Sequence, residues 1–356
     1  MRARRLTGNT PLIRIASLSE LTGCEILGKA EFLNPAGSPK DRVALQIIED
    51  AEARGDLEPC VGSWIFEGTM GSTGISLATL ASARGYNCCI IVPDDVATEK
   101  LELLERLGAT VAAVRPRGIV DPRHFVNEAR MRAETWTPDR EHPKATALFA
   151  DQFETQSNYN AHYFHTGPEI WEQTGGMIDA FVSGAGTSGT IAGVAAYLKE
   201  NNPSVAIVVA DPQGSGLYNR VRYGVMYSPT EAEGTRRRHQ VDSVIEGIGM
   251  NRLTHNLELG LPFIDAAEHV TDDEAVRMSR WLAQHDGLFL GSSSATHCVA
   301  AVRTAAKLRR SAPSSRPVVV TVLADSGSRH LSKFHSDRAM AARGLQVSAD
   351  ISDIIG

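Results

Sequence analysis

Ser63-Trp64-Ile65-Phe66-Glu67, Gly68-Thr69-Met70-Gly71-Ser72-Thr73-Gly74, Ile75 to Arg84, Asn87 to Val92, Ala97 to Leu107 and Thr110 to Val114 follow one another with almost nothing between them. The first piece reads as a buried strand and the second as a glycine-rich turn. The third is a helix closed by Gly85; a strand, a helix closed by Gly108 and a further strand complete the block. Strand and helix alternating over short connections predict a parallel α/β sheet with right-handed crossovers.

The same alternation continues outward. Upstream, Leu6 to Arg14 is a turn entering a short strand, and Glu25 to Glu31 is a second strand. Downstream, helices are expected at Phe125–Ala133, His162–Gln173, Ile191–Glu200, Asp272–His285 and about Ala295–Arg310. Strands are expected at Met177–Val182, Val205–Ala210 and Pro317–Leu323, and polar loops at 135–144 and 213–250. With 356 residues the chain is long enough for two lobes that share a core.

Composition excludes several classes. Apolar residues make up 42% and charged residues 22%, which is ordinary for a globular protein. The net charge is −6, and the basic run Arg236-Arg237-Arg238-His239 reads as a solvated loop, so no nucleic-acid partner is expected. Five scattered cysteines without a C-x-x-C pair argue against a disulfide framework or a metal site and fit a reducing compartment. Cys88 and Cys89 read as core. No apolar run reaches spanning length. The basic start, Met1 to Arg5, is too short for a transit peptide; a cytoplasmic protein is expected, with mitochondrial association as the alternative.

Asn34-Pro35-Ala36-Gly37-Ser38-Pro39-Lys40 delivers one lysine to the start of a helix that runs to Arg54 and is closed by Gly55. Pro39 fixes its own backbone and biases Ser38 away from helix. The positive end of the helix dipole favours the neutral amine, which is a nucleophile able to form a Schiff base. The plain alternative is a solvated lysine.

Three small-residue turns, at 68–74, 184–190 and 291–294, each stand near a strand end and before a helix, the edge at which open α/β sheets bind ligands. Gly184-x-Gly186-x-x-Gly189, with Asp211 ending the next strand, matches a dinucleotide fingerprint, and a nicotinamide-dependent (NAD) dehydrogenase is the reading from another class. Thr187, Ser188 and Thr190 instead suit a cup for a terminal phosphate. A purely structural tight turn is the third reading. The 68–74 loop offers Thr69, Ser72 and Thr73 hydroxyls to a carboxylate, or is a packing turn. Ser292-Ser293-Ser294 lacks a nucleophile elbow, and a serine there could bond a heteroaromatic nitrogen. His162 and His165 read as structural.

Taken as an ordered set, these pieces resemble the pyridoxal-phosphate enzymes of the cysteine synthase and cystathionine β-synthase family (fold type II). The likeness runs from Leu6-Thr7-Gly8-Asn9-Thr10-Pro11-Leu12 to Ala324-Asp325-Ser326-Gly327, and includes Thr166 to Trp171 and Glu246-Gly247-Ile248-Gly249. Gly71-Ser72-Thr73-Gly74-Ile75-Ser76 and Asn251 to Asn256 are similar to the fungal cysteine synthase-like branch. The resemblance implies two three-layer α/β domains of tryptophan synthase β-like architecture. A smaller mobile domain would span 43–150 and carry the substrate carboxylate loop; a larger cofactor domain would comprise 1–42 plus 151–335, with a tail over 336–356.

It also implies roles. Lys40 would hold pyridoxal 5'-phosphate as a Schiff base and then serve as acid and base at the substrate Cα. Gly186, Thr187, Ser188, Gly189 and Thr190 would cup the phosphate, and Ser293 would face the pyridine nitrogen. Thr69, Met70, Gly71, Ser72 and Thr73 would hold the substrate carboxylate, helped by Gln152. The usual family loop reads Thr-Ser-Gly-Asn-Thr; Met70 and Ser72 depart from it, and Ser72 stands where an asparagine normally contacts the cofactor. The expected reaction is β-replacement: O-acetyl-L-serine and sulfide give L-cysteine. The alternatives are cystathionine β-synthase, a serine/threonine dehydratase, or a catalytically weak relative. A homodimer is implied.

Overall fold

The computed structural model describes residues 6–94, 96, 98–228 and 243–355. The basic run at 236–239 and the basic start at 1–5 lie outside the described residues.

Among the described residues, ten strands form two sheets. They are β1 (Leu12–Arg14), β2 (Glu25–Ala30), β3 (Trp64–Gly68), β4 (Asn87–Pro93), β5 (Thr110–Val114), β6 (Ala147–Phe149), β7 (Ala180–Ser183), β8 (Ala206–Pro212), β9 (Ala266–Val270) and β10 (Val318–Leu323). One sheet has the order β5-β4-β3-β6 and is wholly parallel. The other has the order β1-β2-β10-β7-β8-β9; β1 alone runs antiparallel.

Each sheet is the middle of three layers, and strand alternation explains why. In β3, Ile65 faces one side with Cys88 and Ile90 of β4. The helices Lys40–Arg54 and Ser72–Arg84 cover that side with Val43, Ile47, Ile48, Ile75 and Leu77. Phe66, Cys89 and Ile91 face the other side, under Ala129 and Ala133 of the helix Phe125–Thr135. In the larger sheet, Ile26, Val182, Val208 and Val319 meet the helices Asp272–His285 and Ser292–Ser311. Phe181, Ile207, Val209 and Val320 meet Gly189–Asn201. Strands covered on both faces read as unbroken apolar runs, as in Val318-Val319-Val320. Each fully buried aliphatic side chain contributes about 1.5–3 kcal/mol.

The C-terminal residues are docked. Met340, Ile351 and Ile354 enter the larger core, and Asp353 receives two bonds from Arg277 at 2.6 and 2.9 Å. Among the described residues no helix is long and apolar enough to cross a membrane.

Several elements differ from the sequence expectation. The helices expected from Ile75, Ile191 and about Ala295 begin at Ser72, Gly189 and Ser292. Their first turns are polar and carry no apolar period. β6 and β9 add to the expected strands: β6 has only three residues, and Ala266-Ala267-Glu268-His269-Val270 carries too little apolar signal. The helix expected over 162–173 starts earlier, as Gln156–Ala161, widens into a π turn at His162–Thr166, and resumes as Gly167–Gln173. The π turn packs tightly on the helix Gly189–Asn201: a Cβ on Gly193 would stand 2.7 Å from Tyr163 N. The polar stretch 213–250 contains a helix, Leu217–Tyr223.

Candidate active site

Lys40 is the first residue of its helix, with Pro39 at the N-cap (φ −62°). A buried ion cluster sets its position. Arg42 donates to Glu31 from Nε and Nη2, each at 2.8 Å, and to Glu169 from Nη1 at 2.6 Å and Nη2 at 2.7 Å. Lys29 adds a 2.6 Å pair to Glu169, and Asn34 Nδ2 donates to Glu31 Oε2 at 2.8 Å. These bonds tie the end of β2, the lysine turn and the helix Gly167–Gln173 into one unit. The turn is fixed further by Asp41, which accepts from Ala36 N and from Ser76 Oγ, both at 2.5 Å. Burial pushes the Asp41 carboxyl up to about 6.

The Lys40 amine has no hydrogen-bond partner among the described residues. Part of its surface is exposed while protein encloses the rest. Burial pulls its pKa down to about 8; the Asp325 and Glu31 carboxylates hold it from falling further. Enclosure therefore acts in the same direction as the helix dipole, toward the neutral amine.

The turn after β7 forms a cup at the N-terminus of Gly189–Asn201. Ser188 caps that helix at φ 68°, a left-handed conformation, and makes no capping bond with its side chain. Its Oγ donates to Met250 Sδ at 3.4 Å. The first backbone N–H groups of the helix therefore point outward, unsatisfied by a cap. A Cβ on Gly186 would overlap Gly247 O, and one on Gly189 would overlap Asn158 Oδ1, so both glycines are required by close approach. Asn158 Nδ2 donates to Thr187 Oγ1 at 2.8 Å, and Thr190 Oγ1 lies 3.1 Å from His162 Nε2. Burial holds His162 well below the usual imidazole range, so it is neutral and lends Thr190 a fixed partner.

The loop after β3 lies beside this cup. Gly71 is extended and uncapped before Ser72, and a Cβ there would meet open space. Thr73 Oγ1 donates to Gln152 Oε1 at 2.5 Å, and Asn158 Nδ2 donates to Gln152 O at 2.7 Å. One chain of bonds, Thr73–Gln152–Asn158–Thr187, thus joins the two loops. Arg329 spans the other side, from Ser72 Oγ at 3.4 Å to Ala36 O in the lysine turn. Thr69 is buried and Met70 half-exposed at the rim.

Ser293 differs from its neighbours. Ser292 Oγ accepts from Glu246 N at 3.0 Å, and Ser294 Oγ accepts from Ala324 N at 2.8 Å. Ser293 Oγ has no protein partner among the described residues. Nearby, Asp325 Oδ2 lies 2.8 Å from His330 Nε2, whose Nδ1 is 3.5 Å from Glu246 Oε2. Both carboxylates raise His330 to about 9 against its burial. Glu246 also pairs with Lys100 at 2.6 Å, so Lys100 links the part of the chain built on the smaller sheet to that built on the larger.

The donors present fit pyridoxal phosphate: a free amine for its aldehyde, an uncapped helix end with hydroxyls for its phosphate, and an unpartnered hydroxyl for its ring nitrogen. They do not fit a dinucleotide. Asp211, the expected ribose acid, is buried and accepts from Tyr218 N at 2.6 Å, capping the helix Leu217–Tyr223. Asn158, Glu67, Arg329 and His330 support the site but carry no signal in a single sequence, and His162, expected as structural, supports it through Thr190. His165 is exposed.

A parallel α/β fold with an enclosed, unpartnered lysine and a phosphate cup defines a pyridoxal-phosphate enzyme of fold type II. The sequence profile of that family, described as pyridoxal-phosphate dependent enzyme, matches residues 3–325. The chain belongs to this family, and pyridoxal phosphate is its cofactor. It is 62% identical to cysteine synthase 2 of Neurospora crassa over 335 residues, 92% of this chain and 71% of the relative. It is 54% identical to cysteine synthase 2 of Schizosaccharomyces pombe over 340 residues, 96% and 85% of the two chains. The crystal structure of an O-ureido-L-serine synthase superposes with a TM-score of 0.76 at 30% identity, covering 96% of this chain and 98% of the other.

Proposed function

We propose that this chain makes L-cysteine from O-acetyl-L-serine and sulfide, and that the residues above divide the work as follows. Bound pyridoxal phosphate supplies an electron sink for the pair left when the substrate Cα loses its proton. Backbone N–H groups and hydroxyls of Gly186, Thr187, Ser188, Gly189 and Thr190 hold the phosphate. Ser293 would offer the ring nitrogen a neutral hydroxyl, a partner that cannot supply it with a full positive charge and so would favour prompt loss of the β-substituent. Thr69, Met70, Gly71, Ser72 and Thr73, with Gln152, hold the substrate carboxylate against the open end of the helix Ser72–Arg84. Lys40 takes the Cα proton, acetate leaves Cβ, hydrosulfide adds at Cβ, and Lys40 returns the proton to Cα.

The observation that carries this reading is the unpartnered Lys40 amine, enclosed and lowered to about 8, where an amine works as a base near neutral pH. The family relatives named cysteine synthase support the choice of substrates. Asn34, Glu31 and Arg42 fix the amine's address, and Asn158 and His162 fix the cup, so the reacting groups are preorganised. The same proposal carries the division at residues 43–150, a homodimer, and a cytoplasmic location with mitochondrial association as the alternative. The resemblance supports the first two, and five free cysteines support a reducing compartment.

The test is cysteine formation by the holoprotein from O-acetyl-L-serine and sulfide, with Lys40→Ala alongside. Wild type should form cysteine, and the variant should lose both turnover and the visible band of bound cofactor. Cystathionine from serine plus homocysteine, or a 2-oxo acid from serine alone, without cysteine formation, would move the assignment to the alternative reactions. Full activity of Lys40→Ala would remove Lys40 from its role.

A further inference from the structure

Glu67 sits near the end of β3, below the loop that begins at Thr69, and its side chain is completely buried. Its Oε1 accepts from Gln152 Nε2 at 3.0 Å, and its Oε2 has no hydrogen-bond partner. The charge that acts on it is the Asp151 carboxylate, of the same sign. Asp151 has its own cation 3.6 Å away, Arg130 on the helix Phe125–Thr135. The Cys88 thiol of β4 faces Glu67 as well, itself raised by burial. A buried carboxylate without a cation is costly, and the group escapes by taking a proton.

Gln152 stands between this acid and the substrate loop, with its nitrogen toward Glu67 and its oxygen toward Thr73. In that orientation Thr73 gives its proton to Gln152, and the pair offers no donor to a carboxylate. A half-turn of the amide exchanges nitrogen and oxygen without moving anything else. We propose that Glu67 is a positioning residue: as a neutral acid it donates to Gln152 Oε1 and turns the amide so that Nε2 faces Thr73 and the incoming substrate carboxylate.

With the amide turned, Thr73 Oγ1 accepts from Gln152, and its own proton is released toward the ligand. Protonating Glu67 thus adds two donors to the carboxylate site. Ionising it returns the amide to the arrangement in which the oxygen faces Thr73, and an acceptor then confronts the carboxylate. Burial, reinforced by Asp151, pushes Glu67 up to about 8 against the Gln152 amide and the backbone N–H groups of Gln152 and Asp151, which favour the carboxylate, so the exchange falls in an accessible range. Amino-acid affinity should therefore be full below that value and fall above it.

The inference rests on the proposed carboxylate role of Thr73 and Gln152, and its test is independent of the second substrate. The dissociation constant of L-alanine is read from the visible band of the holoprotein between roughly pH 7 and pH 9, beside the KM for O-acetyl-L-serine. Wild type should weaken about tenfold over that range, the limit that one group titrating near 8 sets by pH 9, in KM rather than kcat. Titration of Lys40 and of the ligand amine is common to all variants. Glu67→Gln, which always can donate to Gln152, should bind as well at the upper pH as at the lower. Gln152→Leu should be weak throughout and lack the Glu67-dependent step. Equal pH dependence in wild type and Glu67→Gln, or a wild-type affinity that does not change, overturns the proposal. Absence of cysteine formation with the alanine profile intact overturns the substrate assignment and leaves Glu67 in place.

Discussion

Replacing His330 by Gln keeps a hydrogen-bonding side chain between Asp325 and Glu246 and removes its charge. In the wild type His330 is raised from 6.5 to about 9, by hydrogen bonds and charge from both carboxylates. The folded protein therefore binds a proton that the unfolded chain releases earlier. That stabilisation is complete below roughly pH 6.5, declines as pH rises, and is gone above roughly pH 9. The difference in pKa corresponds to roughly 3 kcal/mol. Removing one partner of a buried ion pair costs a similar amount, about 3–5 kcal/mol, because the carboxylates are left behind. With an unfolding entropy of about 2.1 cal/mol/K per residue over 356 residues, 3 kcal/mol is a Tm difference of about 4 °C. The assay is the melting temperature of wild type and His330→Gln measured at both ends of the window. Lys40, Asp41 and Glu67 titrate in both proteins and cancel in the difference. The variant should melt lower at about pH 6, and the gap should shrink toward pH 9.5. A gap of the same size at both pH values would refute the argument that His330 is charged through its two carboxylates.

Two further outcomes follow from the site's geometry. Gly189→Ala should lose cofactor on dialysis, since the new methyl overlaps Asn158 Oδ1, with overpacking of about 1–3 kcal/mol; Gly71→Ala, facing open space, should retain it, and equal retention by both contradicts the cup. Lys100→Met should lower the melting temperature by the worth of its pair with Glu246, about 0.5–1 kcal/mol, and a deficit that persists undiminished in about 1 M salt would mean the loss is not electrostatic.

The parallel α/β fold was legible because alternation of strand and helix is a local signal. Ser63 to Val114 carried it almost alone, and Gly55 and Gly85 closed their helices as expected, at φ 78° and 76°. The helix starts are least legible where they matter most for chemistry. Ser72, Gly189 and Ser292 open their helices with small polar residues, which belong to the ligand side and leave no mark on an apolar period. Lys40 was readable from Pro39 before it, but the cause of its lowered pKa was not. Enclosure by the fold lowers the amine, and only the helix end is visible in the sequence. The small-residue turns were visible, and their supports were not. Thr73 meets Gln152 79 residues away, and Thr187 meets Asn158 29 residues away, and no spacing within either segment announces the partner. His162, read as structural, is that and also the brace of Thr190. Asp211 shows the reverse: a good fingerprint position whose side chain is engaged in capping the next helix.

The register of β2 has a consequence for how the molecule is made. Glu25 pairs with Val318 and Ala30 with Leu323, so one edge of an early strand waits for one of the last. The smaller sheet closes within residues 64–149 and can pair while the rest of the chain is still on the ribosome. During that interval the free edge of β2 is a hazard for wrong pairing, and long-range closure of this kind is slow. Glu31, directly after β2, anchors Arg42 and with it the lysine turn. The amine and the phosphate cup therefore acquire their final spacing only when nearly the whole chain has been synthesised, so newly made chains pass through a long cofactor-incompetent stage.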